Sequence, residues 1–353
     1  MMNVRKLLLI GISAFMVTAV SSCSNKKNHN EIENAITKPQ YTNVIVAENK
    51  DENIKIYGVN KKELAKIEDR EKFSQILYTN KDSTFVYLMK DKENEKKNNI
   101  KILSNNVEDT INNFFWASDL NMSPNGGKIA YRTFKREEID SIEGLTLYDT
   151  NKNISIKFDS KVTISGNLYT WINEKEILYY GVDSDTEKKG IYKYNTETKK
   201  ENVYLENMDG YCMYFMYFDN KLLVLSSNRD KDNLYIYNNG QKLLLSNKVN
   251  KIYKGIYDKY RKIIYIIASD LDSEATLYKI DTEKNFMERL TYDLPEKVDE
   301  NGGIGVSSDG LVYYCGFTSL NDNSNDVFMY NPEDNSNNLI SVNPSKYHIF
   351  TSN

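Results

Sequence analysis

The sequence predicts an all-β, seven-bladed β-propeller, and three observations carry that prediction. A short pattern, an apolar strand ending in Tyr or a near relative and then a polar turn, returns seven times. Its returns are nearly evenly spaced: taking Val59, Leu103, Tyr148, Tyr194, Tyr237, Ile280 and Tyr330 as equivalent, the steps are 44, 45, 46, 43, 43 and 50 residues. Upstream of these lie further polar turns, each opening another apolar strand. A period in the forties with several short strands per repeat is the signature of propeller blades. Six blades is the alternative count, because the first repeat is the weakest.

At the N-terminus, Arg5 and Lys6 precede an apolar run of 14 residues from Leu7 to Val20. About 20 are needed to span a bilayer, so the run reads as the hydrophobic part of a signal. Val20-Ser21-Ser22-Cys23 comes next, and it resembles the lipobox of bacterial lipoproteins with Val in place of the usual Leu. That resemblance implies loss of residues 1–22 and a lipid on Cys23. The chain would then be anchored to the cell membrane on its extracytoplasmic face. An ordinary secretory signal with a chance Cys is the other reading. Residues 23–40, with Asn25-Lys26-Lys27-Asn28-His29-Asn30, carry almost no large apolar side chains and read as a flexible tether.

Residues 41–353 then form the propeller. Ser123-Pro124-Asn125-Gly126-Gly127-Lys128-Ile129-Ala130-Tyr131, Ile172 to Tyr180 and Ser307 to Tyr314 each combine a tight polar turn with an outgoing strand. Asn-Gly and Asp-Gly supply the positive φ angles of hairpin turns, and β-branched and aromatic residues favour the pleat. Each blade is therefore ordered strand A, tight turn, strand B, longer loop, strand C, turn, strand D. The run Ser123 to Tyr131 resembles the repeat of the TolB-like and WD40-like bacterial propellers, Ser307 to Tyr314 partly so. This resemblance implies architecture and says little about activity.

Blade 1 has strands B, C and D in Asn43 to Val46, Asn53 to Val59 and Glu63 to Ile67, but nothing before them to serve as strand A. A spare strand, Tyr347-His348-Ile349-Phe350-Thr351, lies beyond the seventh blade. The C-terminal segment is predicted to enter blade 1 as its innermost strand and close the ring, which removes exposed sheet edges.

Removing Arg5 and Lys6 from the 46 Lys and Arg leaves 44 against 50 Asp and Glu, a net charge near −6. A mildly acidic surface is unsuited to phosphate backbones, so nucleic acid is not an expected partner. After Cys23 only Cys212 and Cys315 remain, in blades 5 and 7, too far apart for a disulfide and best read as small buried hydrophobes.

Catalytic groups are scarce. The histidines are His29 in the tether and His348 in the closing strand, which leaves little for a zinc site or a Ser-His-Asp triad. His348 is a candidate channel residue. Three carboxylate clusters fall in B–C loops: Asp183, Asp185 and Glu187; Asp270, Asp272 and Glu274; Asp322 and Asp326. Alternating oxygens suit calcium, although no loop has EF-hand spacing, and solvated hairpin tips are the plainer reading. Aromatic runs, Phe114-Phe115-Trp116, Tyr169-Thr170-Trp171 and Tyr211 to Phe215, fall in or beside inner strands. Half should pack between sheets; Trp116, Trp171 and Tyr211 are the candidates for a ligand at the channel mouth.

The reading favoured by these features is a membrane-anchored, monomeric, non-catalytic binding or scaffold protein for a protein, peptide or glycan, without a cofactor. The alternative is a carboxylate-based hydrolase or lyase. Inward carboxylates with raised pKa values would mark the enzyme.

Overall fold

Alternation along single strands builds the ring. In Glu176–Asp183, Ile177 and Tyr179 pack into one apolar cluster with Ala130, Leu147 and Tyr194, while Leu178 and Tyr180 pack into another with Cys212, Phe215 and Val224. Each strand thus serves two interfaces, as the two-residue period of a pleated strand requires. The computed structural model describes residues 39–353 except 81–82, 105–106, 230, 272 and 320–322. The predicted signal, Cys23, His29 and the tether as far as residue 38 lie outside the described residues, as do Asp272 and Asp322.

Among the described residues seven antiparallel sheets form, each running A-B-C-D from the axis outward. The inner strands are Lys346–Thr351 in blade 1, Gln75–Thr79 in blade 2, Trp116–Met122 in blade 3, Val162–Trp171 in blade 4, Tyr211–Phe218 in blade 5 and Val249–Asp258 in blade 6. In blade 7 the inner strand is split into Lys297–Val298 and Ile304–Val306. Seven apolar clusters fill the seven interfaces between neighbouring blades, so the count is seven and the six-bladed alternative falls.

All seven repeat residues occupy one structural position, the penultimate residue of strand C. The next two residues explain the signature. Oδ1 of Asp149, Asn195 and Asp281, each the last residue of its strand, accepts backbone N–H groups two and three residues ahead and shapes the C–D turn. The buried Thr beside it donates its hydroxyl back to the A–B turn of the same blade: Thr150 to the Gly126 carbonyl at 2.5 Å, Thr196 to Lys175 at 3.1 Å, Thr282 to Lys262 at 2.7 Å. The sequence repeat is therefore a staple that ties two turns at one end of each of these blades. Replacing Thr150, Thr196 and Thr282 together by Val keeps shape but removes three hydrogen bonds. At about 1 kcal/mol each, the triple variant is expected to lose about 3 kcal/mol, read as a lower urea midpoint with an unchanged slope; an unshifted midpoint contradicts the staple.

The ring closes as predicted. Lys346–Thr351 pairs antiparallel with Val44–Asn49, His348 opposite Ala47 and Phe350 opposite Ile45. The tail goes further: Ser352 bridges Tyr78 of blade 2, and Asn353 donates its backbone N–H to the Tyr78 carbonyl at 3.0 Å and its amide to the Met122 carbonyl of blade 3 at 2.7 Å. On the other side Asn325 of blade 7 holds the incoming strand. Its amide donates to the Tyr347 carbonyl at 2.9 Å and to Asp299 Oδ2 at 2.6 Å, and its carbonyl accepts the Tyr347 N–H at 2.8 Å.

Cys212 and Cys315 are buried free thiols in different interfaces, the first between blades 4 and 5 and the second between blades 7 and 1. Burial pushes the Cys212 thiol up to about 12 and the Cys315 thiol well above its usual range. Neither stands as the thiolate that attacks or binds metal.

Candidate functional site at one mouth of the channel

An inner strand is covered on both faces by neighbouring blades, so a residue exposed in its middle faces the central channel. In blades 1 and 2 the inner strands pair with strand B without interruption. Each of the next five blades breaks the ladder. In blade 3, Asp119 and Leu120 fall between the pairs Ser118–Arg132 and Asn121–Ala130, with Asp119 at φ 57°. In blade 4, Ser165 to Leu168 loop out between Ile164–Gly181 and Tyr169–Tyr179, turning at Gly166 with φ 57°. Blade 5 carries Met213 as an extra residue, 56% exposed. In blade 6 the ladder shifts at Asn250 and again at Tyr253. In blade 7 residues 299–303 separate the two pieces of the inner strand. Bulges re-aim side chains and recur beside functional sites; five in succession give one wall of the channel a surface that blades 1 and 2 lack.

The chain is antiparallel within each blade, so the start of strand A, the end of B, the start of C and the end of D share one mouth. Several cations there rest on aromatic rings, Arg70 on Tyr87 and Arg132 on Phe134 while also paired with carboxylates, and four others without such a pair among the described residues. Lys97 lies 5.6 Å from the Phe115 ring centre, Lys189 4.0 Å from Tyr211, Lys251 4.4 Å from Tyr253, and the Arg289 guanidinium 5.2 Å from Tyr292. Tyr211 and Tyr292 are 58% and 68% exposed. Hydrogen bonding from Lys189 holds the Tyr211 hydroxyl below its ordinary pKa.

The structure brings Trp116 and Tyr211 to this mouth, both as the first residue of an inner strand. Trp171 is the last residue of its strand and so lies at the opposite end, 5% exposed in the cluster between blades 3 and 4, where its indole N–H has no hydrogen-bond partner. His348 sits within the closing strand with Nδ1 3.3 Å from the Asn301 carbonyl of the blade 7 insertion.

The carboxylates of Asp183, Asp185, Glu274 and Asp326 are engaged. Asp183 Oδ1 accepts the N–H groups of Asp185 and Thr186 at 2.9 and 2.8 Å, and these bonds hold its carboxyl below the usual range. Asp185 pairs with Lys161 and Glu274 with Lys297, the latter at 2.6 Å. Asp270 closes its loop through its backbone, with Ser273 on both its N–H and its carbonyl. Asp326, grouped with rim loops on sequence grounds, instead opens strand C of blade 7, 2% exposed, and accepts the Ser341 hydroxyl at 2.7 Å. Among the described residues no group of three or more His, Cys, Asp or Glu converges as a metal site would require.

Asp119, on the channel wall, is equally committed. Its Oδ2 receives Arg132 Nε at 2.8 Å, Arg132 Nη2 at 2.5 Å and the Ser118 hydroxyl at 2.5 Å, while its carbonyl accepts the Tyr169 hydroxyl. The opposite mouth has a cavity of about 460 Å³ beside Asn125, Lys128 and Lys152. Both its acids are taken up: Glu174 braces the neighbouring blade's turn through Ser123 Oγ at 2.8 Å and Asn125 N at 2.6 Å, and Asp149 folds its own C–D turn.

Sequence reasoning missed Met213, Lys189, Lys251 and Tyr253. Their placement at this mouth follows from strand register, which composition does not reveal. Two signals were present: the polar break Ser165-Gly166-Asn167 inside an apolar strand, and the 50-residue last step, which accommodates the blade 7 insertion.

No family model matches the chain, and no curated protein matches it. Solved structures do. The β-propeller domain of the Trilobed protease from Pyrococcus furiosus, described as having an open velcro topology, is similar over 77% of this chain and 86% of its own, at 20% identity and a TM-score of 0.52. An uncharacterized protein from Listeria monocytogenes is similar over 86% of this chain and 95% of its own, at 12% identity and a TM-score of 0.53. TolB from Acinetobacter baumannii aligns over 87% of this chain and 82% of its own at 13% identity, with a TM-score of 0.46. At these identities the likeness is one of fold alone, and the chain is an all-β, seven-bladed propeller closed by its own tail.

Proposed function

We propose that this protein is a non-catalytic binding propeller, held at the extracytoplasmic face of the membrane by a lipid on Cys23, that takes its partner at the mouth and bulged wall of blades 3 to 7. The observation that carries the reading is the run of five interrupted inner strands beside two regular ones, which opens side chains toward the channel on one side of the ring. A second supports it: among the described residues every carboxyl group with a shifted pKa is shifted down. Acid catalysis at neutral pH wants a carboxyl held protonated.

A photo-crosslinking amino acid at Met213, with Tyr260 at the opposite mouth as the control, tests this in the native envelope. The expected result is a discrete adduct at position 213 and none at 260, with the Cys23→Ala protein carrying the crosslinker released to the medium. No adduct at 213, together with turnover of an envelope substrate that Asp119→Asn abolishes, would establish the enzyme instead.

A further inference from the structure

We infer that the outer edge of blade 5 pairs with the same edge of a second copy of the chain, joining two rings through one continuous antiparallel sheet. The contact lies on the circumference of the ring and is independent of the channel. Each sheet ends in an outer strand with no strand beyond it, and such edges are ordinarily guarded by charge or kept short. Charges stand along the outer strands of blade 1 from Lys66 to Arg70, of blade 2 at Glu108 and Asp109, of blade 4 at Glu201 and Glu206, and of blade 6 at Glu288 and Arg289. Blades 3 and 7 end in strands of three and four residues. Blade 5 has neither safeguard. Its outer strand, Gln241–Ser246, runs Lys242-Leu243-Leu244-Leu245 between Gln and Ser, with Leu243 42% and Leu244 52% exposed. The one charge is drawn back over its own blade, where Lys242 pairs with Asp209 and lies 5.3 Å from the Tyr235 ring centre.

Two-fold self-complementarity identifies the occupant. The turn before the strand, Asn239-Gly240, has φ values of 48° and 80°, the two-residue turn of a regular hairpin. Hydrogen-bonded pairs then alternate from Asn238–Gln241, so Leu243 spends its N–H and carbonyl on Ile236 of strand C, while those of Lys242 and Leu244 point outward. The bulge at Leu245 lies beyond them. A second copy turned by 180° about Leu243 sets Lys242 opposite Leu244 of that copy, and the reverse, each pair exchanging two hydrogen bonds. In this register no lysine meets a lysine, Leu243 faces its own counterpart, and Leu244 covers the apolar stem of Lys242. A foreign strand must bring a matching unguarded stretch of its own. A second copy carries one already. A contact of about three residues a side falls well short of the roughly 1,200 Å² of a stable interface, so the pairing is weak and is favoured where copies are held close together.

Disulfide trapping reads a weak contact of this kind. Directly opposed residues in a non-hydrogen-bonded position stand about 4.5 Å apart between Cα atoms, within the span of a disulfide. Full-length Leu243→Cys, oxidised in detergent, is expected to form a disulfide-linked dimer about tenfold faster than Val107→Cys on the outer strand of blade 2, a position 55% exposed. The parent sets the background, since Cys23 is common to all three and Cys212 and Cys315 are buried. Adding Leu244→Lys to Leu243→Cys places a lysine opposite Lys242 of the second copy. That double variant should cross-link no faster than Val107→Cys while melting at the same temperature as Leu243→Cys, because position 244 is half exposed. Equal rates for Leu243→Cys and Val107→Cys overturn the pairing, as does a Leu243→Cys dimer that Leu244→Lys leaves unchanged. A photo-crosslinking amino acid at Leu244 that yields, in the envelope, adducts with a different protein and none of twice the chain's mass assigns the edge to a foreign strand and overturns it too.

Discussion

Removal of the chain after Pro344 is expected to leave a protein that does not melt cooperatively and that aggregates on expression. The truncation takes away the whole inner strand of blade 1. Tyr347 and Ile349 are 6 and 4% exposed in the cluster between blades 7 and 1, and Phe350 packs on Phe73 in the cluster between blades 1 and 2. Burying side chains of this size is worth roughly 1.5–3 kcal/mol apiece, so the three together contribute about 4–9 kcal/mol before any hydrogen bond is counted. A folded protein holds only about 5–15 kcal/mol in total. The loss also leaves Val44–Asn49 as an apolar strand edge facing the channel, which invites pairing with another chain. Circular dichroism melting and size-exclusion chromatography decide it: an undiminished cooperative transition from a monomer would show that the ring stands without its clasp. Removing only Ser352 and Asn353 should cost far less, since those residues bridge blades 2 and 3 by hydrogen bonds alone.

What the sequence revealed and what it hid divide along a physical line. The repeat was legible because the same local chemistry recurs: a ring or branched residue one place before the end of strand C, an Asx side chain folding the turn, and in several blades a Thr stapling it. The spare strand at Tyr347 to Thr351 was legible because blade 1 visibly lacked one. Both are local patterns that need no knowledge of neighbours. The site was not local. Trp116, Trp171 and Tyr211 look alike as aromatics near inner strands, yet their exposure depends on which end of strand A each occupies: the final position buries Trp171, while the first leaves Tyr211 in solvent over Lys189. Likewise Asp326 and Asp183 read as equivalent rim acids, but one is walled into blade 7 and the other caps its own loop. Position along the strand and the packing of the next blade decide these outcomes, and neither is written in the local residue pattern.

The second large effect expected is at Asn325, a residue with no feature in the sequence to mark it. Its side chain does the work of a backbone strand, since amide and carbonyl together match the N–H and carbonyl of Tyr347, and the same amide nitrogen also donates to Asp299. Asn325 also exchanges two backbone hydrogen bonds with Ser345, at 2.7 and 2.9 Å, so that one residue sets the register of the incoming tail. Asn325→Leu preserves volume but leaves the buried Tyr347 N–H unpaired, leaves the Tyr347 carbonyl with the weak Cys315 thiol donor at 3.6 Å, and takes the amide from the Asp299 carboxylate, which is 9% exposed and keeps the Asn301 N–H at 2.9 Å. Leaving a buried neutral partner unpaired costs about 1–3 kcal/mol and a charged one more. The substitution is therefore expected to cost about 4 kcal/mol, several times the effect of a single Thr staple. The loss should be specific to closure: hydrogen exchange ought to rise first in Lys346–Thr351 and Val44–Asn49 while the amides of blades 4 and 5 stay protected. Asp299→Asn in the same background removes the stranded charge and should recover part of the loss. Uniform destabilisation of all blades without that recovery would place the weak point of the ring elsewhere than the seam between its last blade and its first.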